Sequence, residues 1–247
     1  MTSDVLGVSG RAMLRALCEG ERDPKVLAEL AKAKLRAKRA ELAEALHGRF
    51  REHHALLIKL SLDHVEQLEA SIAALDAEVD KVIAPFSQAR DHLDTITGVG
   101  KRAAECIIAE IGLDMDRFPT AGHLASWAGV CPGNNITGGK RRSGTTTKGN
   151  VWLGQILVEC AWATSHTKDT YLRAQYWRLA RRIGKKKAAV AVGHSILVIA
   201  WHLLKNDCDY VDLGGSFFVQ RDTDRTRQRA VAQLQALGYR VSLEQAA

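Results

Sequence analysis

The sequence predicts a mainly α-helical protein, in which a long helical coiled-coil hairpin is followed by a helical domain with a helix-hairpin-helix and a glycine-rich basic loop. Only 4 prolines occur in 247 residues, and many stretches are rich in Ala, Leu, Arg and Glu, which favours long helices. Apolar residues recur at spacings of three and four along residues 58–86. Hydrophobic residues make up 46% and charged residues 26%, a globular composition that argues against a mostly disordered chain.

Four segments are expected along the chain. Residues 1–22 are predicted to be a linker remnant with one short helix, 23–90 coiled-coil helices, 91–208 the helix-hairpin-helix domain and 209–247 a C-terminal tail with few signals. Asp23 followed by Pro24 is typical of a helix start, so a long helix is expected from there to about Arg51.

The apolar spacing in residues 58–86 predicts four heptads of a coiled-coil seam. The seam consists of Ile58, Val65, Leu68, Ile72, Leu75, Val79, Val82 and Phe86, with Ser61 at one polar position. Such a seam pairs helices either between two chains, which would make a homo-oligomer, or within one chain as an antiparallel hairpin. The sequence leaves both open.

Positive charge is concentrated in one part of the chain. The net charge is +7 overall. Between Arg117 and Ala191, thirteen Lys or Arg residues oppose only Glu159 and Asp169, a local balance of +11 that leaves −4 for the rest of the chain. Because affinity for a nucleic acid rises with the number of phosphates neutralised, this segment predicts a nucleic-acid partner.

No metal site, disulfide or membrane span is predicted. The cysteines are widely spaced without a CxxC pair, so they are interpreted as reduced, small and buried hydrophobic residues. They are Cys18, Cys106, Cys131, Cys160 and Cys208. The N-terminus lacks an apolar signal core, which predicts a cytoplasmic location. Residues 188–204 are nearly all apolar, but Gly193, His194 and Ser195 interrupt them, so a buried core helix is preferred to a membrane span.

Residues 93–112, LDTITGVGKRAAECIIAEIG, predict two helices joined by a Gly-Val-Gly turn, with Ile96 and Val99 as apolar pegs. In a helix-hairpin-helix, glycines let such a turn approach a DNA phosphate, and amides at the next helix start point at the anion. The candidate contacts are Gly98, Gly100, Lys101 and Arg102. The alternative is a tight turn that binds nothing.

Residues 133–150, GNNITGGKRRSGTTTKGN, interrupt the helical pattern with five glycines, four basic residues and no acid. A long polar loop inside a compact domain is typical of a functional segment, and this one could follow a nucleic-acid backbone. Its candidate contacts are Lys140, Arg141, Arg142, Ser143, Thr145 and Lys148. A mobile surface loop is the alternative. Trp127, just before the loop, is expected in the core.

A second basic cluster is expected between helices near residues 168–183 and 187–205. Its candidate nucleic-acid contacts are Arg181, Arg182, Lys185 and Lys186. Tyr171, Tyr176 and Trp177 could stack on bases or pack in the core, and the charges could equally form a solvated surface.

These motifs resemble the insertion-sequence one-ten family of transposases, also described as bridge-RNA-guided recombinases. The segments that carry the resemblance are TGVGKRAAECIIAEIG (97–112), RFPTAGHLASWAGVCPGNN (117–135), GGKRRSGTTTKGN (138–150), DTYLRAQY (169–176) and KKKAAVAVGHSILVIAWHLL (185–204). The resemblance implies DNA and a guide RNA as partners, association with the nucleoid when DNA is bound, and tetramers made of dimers.

The resemblance also implies an active site in two halves. Family members begin with an RNase-H-like domain whose acidic residues hold divalent metal such as magnesium. Its alternating strands and helices are not seen in this sequence, so the chain is expected to be a C-terminal part with no cofactor of its own. The second half is a nucleophilic serine in the pattern NNxSxGK, which falls on Thr137. Threonine keeps the hydroxyl but adds a crowding methyl group. Gly154 stands where relatives carry an arginine.

The sequence thus predicts the DNA-binding part of a transposase, acting in strand exchange through a hydroxyl nucleophile and incomplete alone. One alternative is a non-catalytic, dimeric regulator of transposition that binds DNA or RNA and dimerises through residues 58–86. Another is a helix-hairpin-helix repair factor unrelated to transposition.

Overall fold

The computed structural model describes residues 4–133, 135–221 and 223–243, and most of them are helical, which confirms the mainly α prediction. The chain forms two compact units, residues 1–82 and 83–247. The segment boundaries expected at residues 22, 90 and 208 do not coincide with this division and stay predictions.

The first unit contains short helices and one long helix. They are α1 (Val8–Cys18), α2 (Pro24–Glu29), a 3-10 helix (Ala33–Lys38), α3 (Arg39–Ala45) and α4 (Glu52–Ile83), whose last residue belongs to the second unit. The Asp23 carboxylate accepts a hydrogen bond from the Lys25 amide at 2.8 Å, so the predicted helix start is confirmed.

The single long helix expected from residue 23 to 51 is wrong. Ala33 has a φ of +48°, which ends any straight helix there. The break lets Ala28, Ala31 and Leu42 share one small core with Met13 of α1. In one straight helix, Ala28 and Leu42 would be too far apart along the axis to share this core.

The central part of the predicted seam on α4 faces solvent, while Ile58, Val65 and Val79 are half-buried. Leu68, Ile72 and Leu75 are 52%, 53% and 66% exposed. Helix α1 is tied to the same long helix through ion pairs of Arg11 with Glu69 and of Arg15 with Glu66. Among the described residues no second helix of the chain covers the seam, and pairing with another chain remains a prediction.

The second unit holds the larger core. Its elements are a 3-10 helix (Ala84–Phe86), α5 (Ser87–Asp94), α6 (Lys101–Ile111), a 3-10 helix (Met115–Arg117), α7 (Ala121–Trp127), strands β1 (Asn135–Thr137) and β2 (Lys140–Ser143), α8 (Val151–Thr164), α9 (Tyr171–Ile183), α10 (Lys185–Asn206), α11 (Phe217–Gln220) and α12 (Thr223–Ala236). Side chains of Thr120, Asn150 and Thr170 cap α7, α8 and α9 by accepting a backbone hydrogen bond.

Helix α10 lies at the centre of this unit and packs against α7, α8 and α9. By length and composition it could cross a membrane. However, Val192, Ile196, Leu197 and Ala200 are fully buried in the core of the unit. This is the packing expected of a core helix.

All five cysteines are free thiols. Cys160 is buried in the core, and burial raises the pKa of its thiol to about 11, as a small hydrophobic residue would show. Cys208 is exposed, so the expectation of a buried side chain is wrong there.

Candidate nucleic-acid interface

Helices α5 and α6 are joined by the turn of residues 95–100. Ile96 and Val99 are 1% and 4% exposed, so the predicted apolar pegs of this turn are confirmed. Lys101 and Arg102 are exposed at the start of α6, where backbone amides and basic side chains would favour an anion. Lys101 also has the Glu105 carboxylate 3.9 Å away.

The two glycines of the turn have different roles. Gly98 has a φ of +87°, and a Cβ on it would lie 2.1 Å from the Thr164 hydroxyl on α8. That hydroxyl also donates a hydrogen bond to the Thr97 carbonyl at 2.8 Å. Gly98 is therefore required for packing the turn against α8. A Cβ on Gly100 would meet no atom within 4 Å, so only this glycine is open to a ligand.

The glycine-rich segment was expected to lack regular structure, and this is wrong. Strands β1 and β2 pair antiparallel, with Thr137 opposite Lys140. Gly138 and Gly139 form the two-residue turn with φ values of +56° and +72°. Positive φ at both central residues is what the tight turns of β-hairpins require. We call residues 135–143 the glycine hairpin.

The base of the glycine hairpin is fixed between α7 and α8. Pro132 pairs with Thr146, and the Gly133 amide donates to the Thr145 carbonyl at 2.8 Å. A Cβ on Gly149 would lie 2.3 Å from the carbonyl carbon of Ala128. Backbone packs directly on backbone here, and the hairpin is therefore presented from a rigid base.

The hairpin carries most of the candidate residues of this segment. Thr137 and Lys140 lie beside the turn, and Thr145 and Lys148 follow on the returning chain, all four exposed. The backbone places Arg141, Arg142 and Ser143 on β2, but their side chains lie outside the described part. Among the described residues, no histidine or carboxylate hydrogen-bonds to the Thr137 hydroxyl.

The second basic cluster lies where α9 ends and α10 begins. Arg181 and Arg182 are exposed in the last turn of α9, and Lys185 and Lys186 are exposed in the first turn of α10. Cations at a helix start face the positive end of the helix dipole, so the lysines gain nothing there from α10.

The aromatic residues near this cluster divide between core and surface. Tyr176 is 3% exposed and belongs to the core. Trp177 is 38% exposed, and its indole N–H donates to the Ser165 carbonyl at 3.1 Å. Trp127, expected in the core, is 46% exposed and packs against Phe118 with ring centroids 5.5 Å apart.

Sequence reasoning missed the C-terminal segment around Asp212. The Asp212 carboxylate accepts hydrogen bonds from the Tyr171 amide at 2.9 Å, the Gly214 amide at 2.7 Å and the Thr97 hydroxyl at 3.2 Å. One side chain thus connects the segment to the start of α9 and to the α5–α6 turn. Burial, followed by the nearby Asp212 charge, raises the pKa of Tyr210. The only sequence signal is a lone Asp before Gly214-Gly215.

Within the described residues, no three His, Cys, Asp or Glu side chains are grouped so that they could hold a metal ion. The magnesium implied by the resemblance therefore has no matching set of donors among these side chains.

Part of the chain is similar in sequence to known transposases. Residues 90–177 match the model of the transposase IS116/IS110/IS902 family. A protein of Pseudomonas aeruginosa named as a family 20 transposase is 28% identical over 158 residues, covering 62% of this chain and 46% of that protein. A Sinorhizobium fredii protein named as a transposase, y4qE, is 33% identical over 137 residues, covering 52% of this chain and 32% of that protein.

A second Sinorhizobium fredii protein, named as the transposase y4pF/y4sB, is 28% identical over 159 residues, covering 62% of this chain and 41% of that protein. The chain spans less than half the length of each of these relatives. The matched residues 90–177 contain the α5–α6 turn, the glycine hairpin and most of α9. Through these residues the chain is similar to the IS116/IS110/IS902 family of transposases.

Proposed function

We propose that this chain acts in DNA transposition as the DNA-binding part of a transposase, with the glycine hairpin held against the DNA backbone. The observation that carries the proposal is the hairpin itself, which lies inside the matched residues and presents basic side chains from a rigid base. Lys140 on the hairpin and Lys148 on the chain that follows it are exposed and free to contact phosphates. The open Gly100 turn offers a second contact through the amides that start α6.

The proposal also gives Thr137 the position of the nucleophile. Its hydroxyl oxygen would attack a DNA phosphorus, forming an O–P bond as the DNA oxygen leaves and takes up a proton. An alcohol needs a base for its own proton, and none contacts Thr137 among the described side chains. We therefore expect little covalent chemistry from this chain alone.

DNA binding is tested by measuring affinity for duplex DNA at several salt concentrations. Affinity should fall steeply with salt, and the Lys140→Gln, Lys148→Gln double variant should reduce the logarithmic slope by about 1.8, at roughly 0.9 per phosphate contact. Lys34→Gln with Arg36→Gln is a matched control, because both residues are exposed in the first unit and carry the same total charge. Absence of binding at low salt, or an equal effect of the control, would contradict the proposal.

The role of Thr137 is tested by trapping a covalent protein–DNA adduct when the RNase-H-like domain of a relative, its guide RNA and DNA ends are supplied. Thr137→Ser should raise adduct formation because it removes the crowding methyl group, and Thr137→Ala should abolish it. Ser143→Ala should leave the adduct intact. An adduct that survives Thr137→Ala and disappears in Ser143→Ala would move the nucleophile to β2.

A second candidate function, a non-catalytic dimeric regulator, is favoured by the exposed seam of α4. Replacing Leu68 and Leu75 with Glu should convert a dimer to a monomer in sedimentation, because charges would enter the apolar seam. Gln67→Glu with Ala74→Glu, one residue away from the seam positions, is the control and should leave the mass unchanged. A monomeric wild-type chain would contradict this candidate.

A further inference from the structure

A cleft in the second unit is lined by six arginines. Its volume is about 1160 Å³, and α9 forms one wall while Gly215, Phe218, Val219, Arg221 and Arg229 form the other. The arginines are Arg173, Arg178, Arg181, Arg182, Arg221 and Arg229, and Asp169 is the only acid among the lining residues that the structure describes. We call it the arginine cleft. No element of the glycine hairpin contributes to it.

The α9 wall carries its arginines in a stripe. Arg173, Trp177 and Arg181 follow each other at steps of four residues, and Arg178 and Arg182 form the neighbouring row. Residues four apart lie on the same face of a helix. From Arg173 to Arg182 the stripe extends about 13 Å along the helix axis at a rise of about 1.5 Å per residue.

The opposite wall is held against α9 by specific contacts. The Gly215 amide donates to the Asp169 carbonyl at 3.1 Å. The Phe218 ring stacks on Tyr171 with centroids 5.1 Å apart, and the Arg178 guanidinium lies 4.2 Å from the centroid of the same ring. A guanidinium held over an aromatic ring is oriented in advance, so it loses less freedom when it binds a ligand.

The positive charge of the cleft is not neutralised within the described part of the chain. None of the six arginines forms an ion pair with a carboxylate there. Arg173 Nε is buried and has no hydrogen-bond partner among the described residues. A buried, unsatisfied donor and several like charges in one cleft both cost free energy, and an anionic ligand would remove both costs.

We propose that the arginine cleft binds a single strand of nucleic acid. Guanidinium groups pair bidentately with phosphates, and a stripe of them matches the repeated phosphates of a strand. The cleft exceeds the roughly 300–1,000 Å³ of most small-molecule pockets. Arginines on two walls can contact the backbone of one strand from both sides. The exposed Trp177 ring adds a surface on which a base can stack.

The experiment is fluorescence anisotropy with labelled oligonucleotides of about 12 nucleotides, within the range bound by single-strand clefts. Single-stranded DNA, single-stranded RNA and duplex DNA are compared at several salt concentrations, and the two single-stranded probes decide which nucleic acid is preferred. One double variant alters each wall: Arg181→Gln with Arg182→Gln, and Arg221→Gln with Arg229→Gln. Lys34→Gln with Arg36→Gln removes the same charge from the first unit.

Each wall variant should weaken single-strand binding about tenfold or more. The slope of log affinity against log salt concentration should fall by about 1.4, at roughly 0.7 for each lost phosphate contact on a single strand. The control should change affinity less than about twofold. Arg181→Lys with Arg182→Lys keeps the charge and the fold but loses the bidentate geometry, so it should give an intermediate loss. Circular dichroism checks that each variant is folded.

Several outcomes would overturn the inference. Loss of binding in only one wall variant would indicate a one-sided patch, and equal competition by polyglutamate would indicate a general anion site. Equal weakening by the control would indicate that the net positive charge of the chain, and not the cleft, is responsible for binding. The proposed hairpin function fails separately, because its Lys140 and Lys148 variants are measured on duplex DNA and leave both walls of the cleft intact.

Discussion

The two compact units bury their apolar residues very differently. The first has a small core around Met13, Ala28, Ala31 and Leu42, while the apolar seam of α4 lies in solvent. The second packs fully buried leucines and isoleucines from α6, α8 and α10 into one core. Because apolar burial supplies most of the stabilising free energy, the second unit should be the more stable of the two. The first unit keeps apolar surface available for a partner.

The largest expected effect is on the second unit, from Gly98→Ala. The new Cβ would lie 2.1 Å from the Thr164 hydroxyl, at a φ of +87°. We expect the free energy of unfolding to fall by about 3 kcal/mol or more, from strain and overpacking together. Urea unfolding measures it. Gly100→Ala is the control, since its Cβ has open space. Equal losses in both variants would show that packing on α8 is not the cause.

Two core leucines compare the units directly. Leu124→Ala, in a fully buried position of the second unit, should cost about 3–4 kcal/mol, and Leu42→Ala in the smaller core about 2 kcal/mol, because the site near the surface can collapse more easily. Calorimetry should show two unfolding transitions, with Leu42→Ala lowering only the first. A single transition that both variants shift would remove the distinction between the units.

Two helical glycines test how tightly α8 and α10 pack in the second unit. Gly154→Ala on α8 meets no atom within 4 Å and should stabilise the unit by roughly 0.5–1 kcal/mol. Gly193→Ala on α10 would bring its Cβ 3.1 Å from the Leu157 carbonyl oxygen and should destabilise it. Thermal unfolding of both variants gives the sign. Stabilisation by both variants would mean that α8 and α10 can move apart enough to accommodate the added methyl group.

The smallest expected effect depends on pH. His92 contacts Asp209 at 2.6 Å and Asp207 at 3.1 Å, and hydrogen bonding to Asp209 is the main reason why its pKa is raised. Protonated His92 therefore stabilises the second unit fully below its unfolded pKa of about 6.5, and this stabilisation is lost as pH rises through the folded pKa.

The pH effect is measured as the difference in unfolding free energy between wild type and His92→Gln. The difference should be larger near pH 6, about half a unit below the ordinary histidine pKa, than near pH 8, about 1.5 units above it. His64→Gln on α4, whose side chain is exposed, is the control. A constant difference between wild type and His92→Gln would show that the ionisation of His92 does not contribute.

Much of the second unit could be predicted from the sequence because its signals are local. The Gly-Val-Gly turn marked Ile96 and Val99 as apolar pegs, and both are buried. Gly184 separates α9 from α10 where the sequence placed the break. The glycine hairpin was missed for a physical reason. Its flanking residues are polar and do not alternate with apolar ones, although the Gly138-Gly139 pair is itself a recognisable hairpin turn.

Features that depend on distant contacts could not be predicted. The arginine cleft requires the segment with Phe218, Arg221 and Arg229 to return to α9. The contacts that bring it there join residues about 40 apart, such as Asp212 with Tyr171. Helix periodicity carries no such information. The break at Ala33 likewise follows from sharing a core with α1, and the leucines before and after it gave no local sign of it.

The direct contact between Gly129 and Gly149 also determines where the hairpin could be replaced by a hairpin of another sequence. A Cβ on Gly129 would lie 2.7 Å from the Gly149 Cα. Neither glycine can therefore carry a side chain unless the chain segment that contains the other glycine moves. Val130 and Cys131, just inside this crossing, also pack on the helical core and would be kept in any exchange. The crossing therefore defines the natural boundaries for a graft: hairpins of other lengths or sequences could be inserted between these glycines while α7 and α8 remain unchanged.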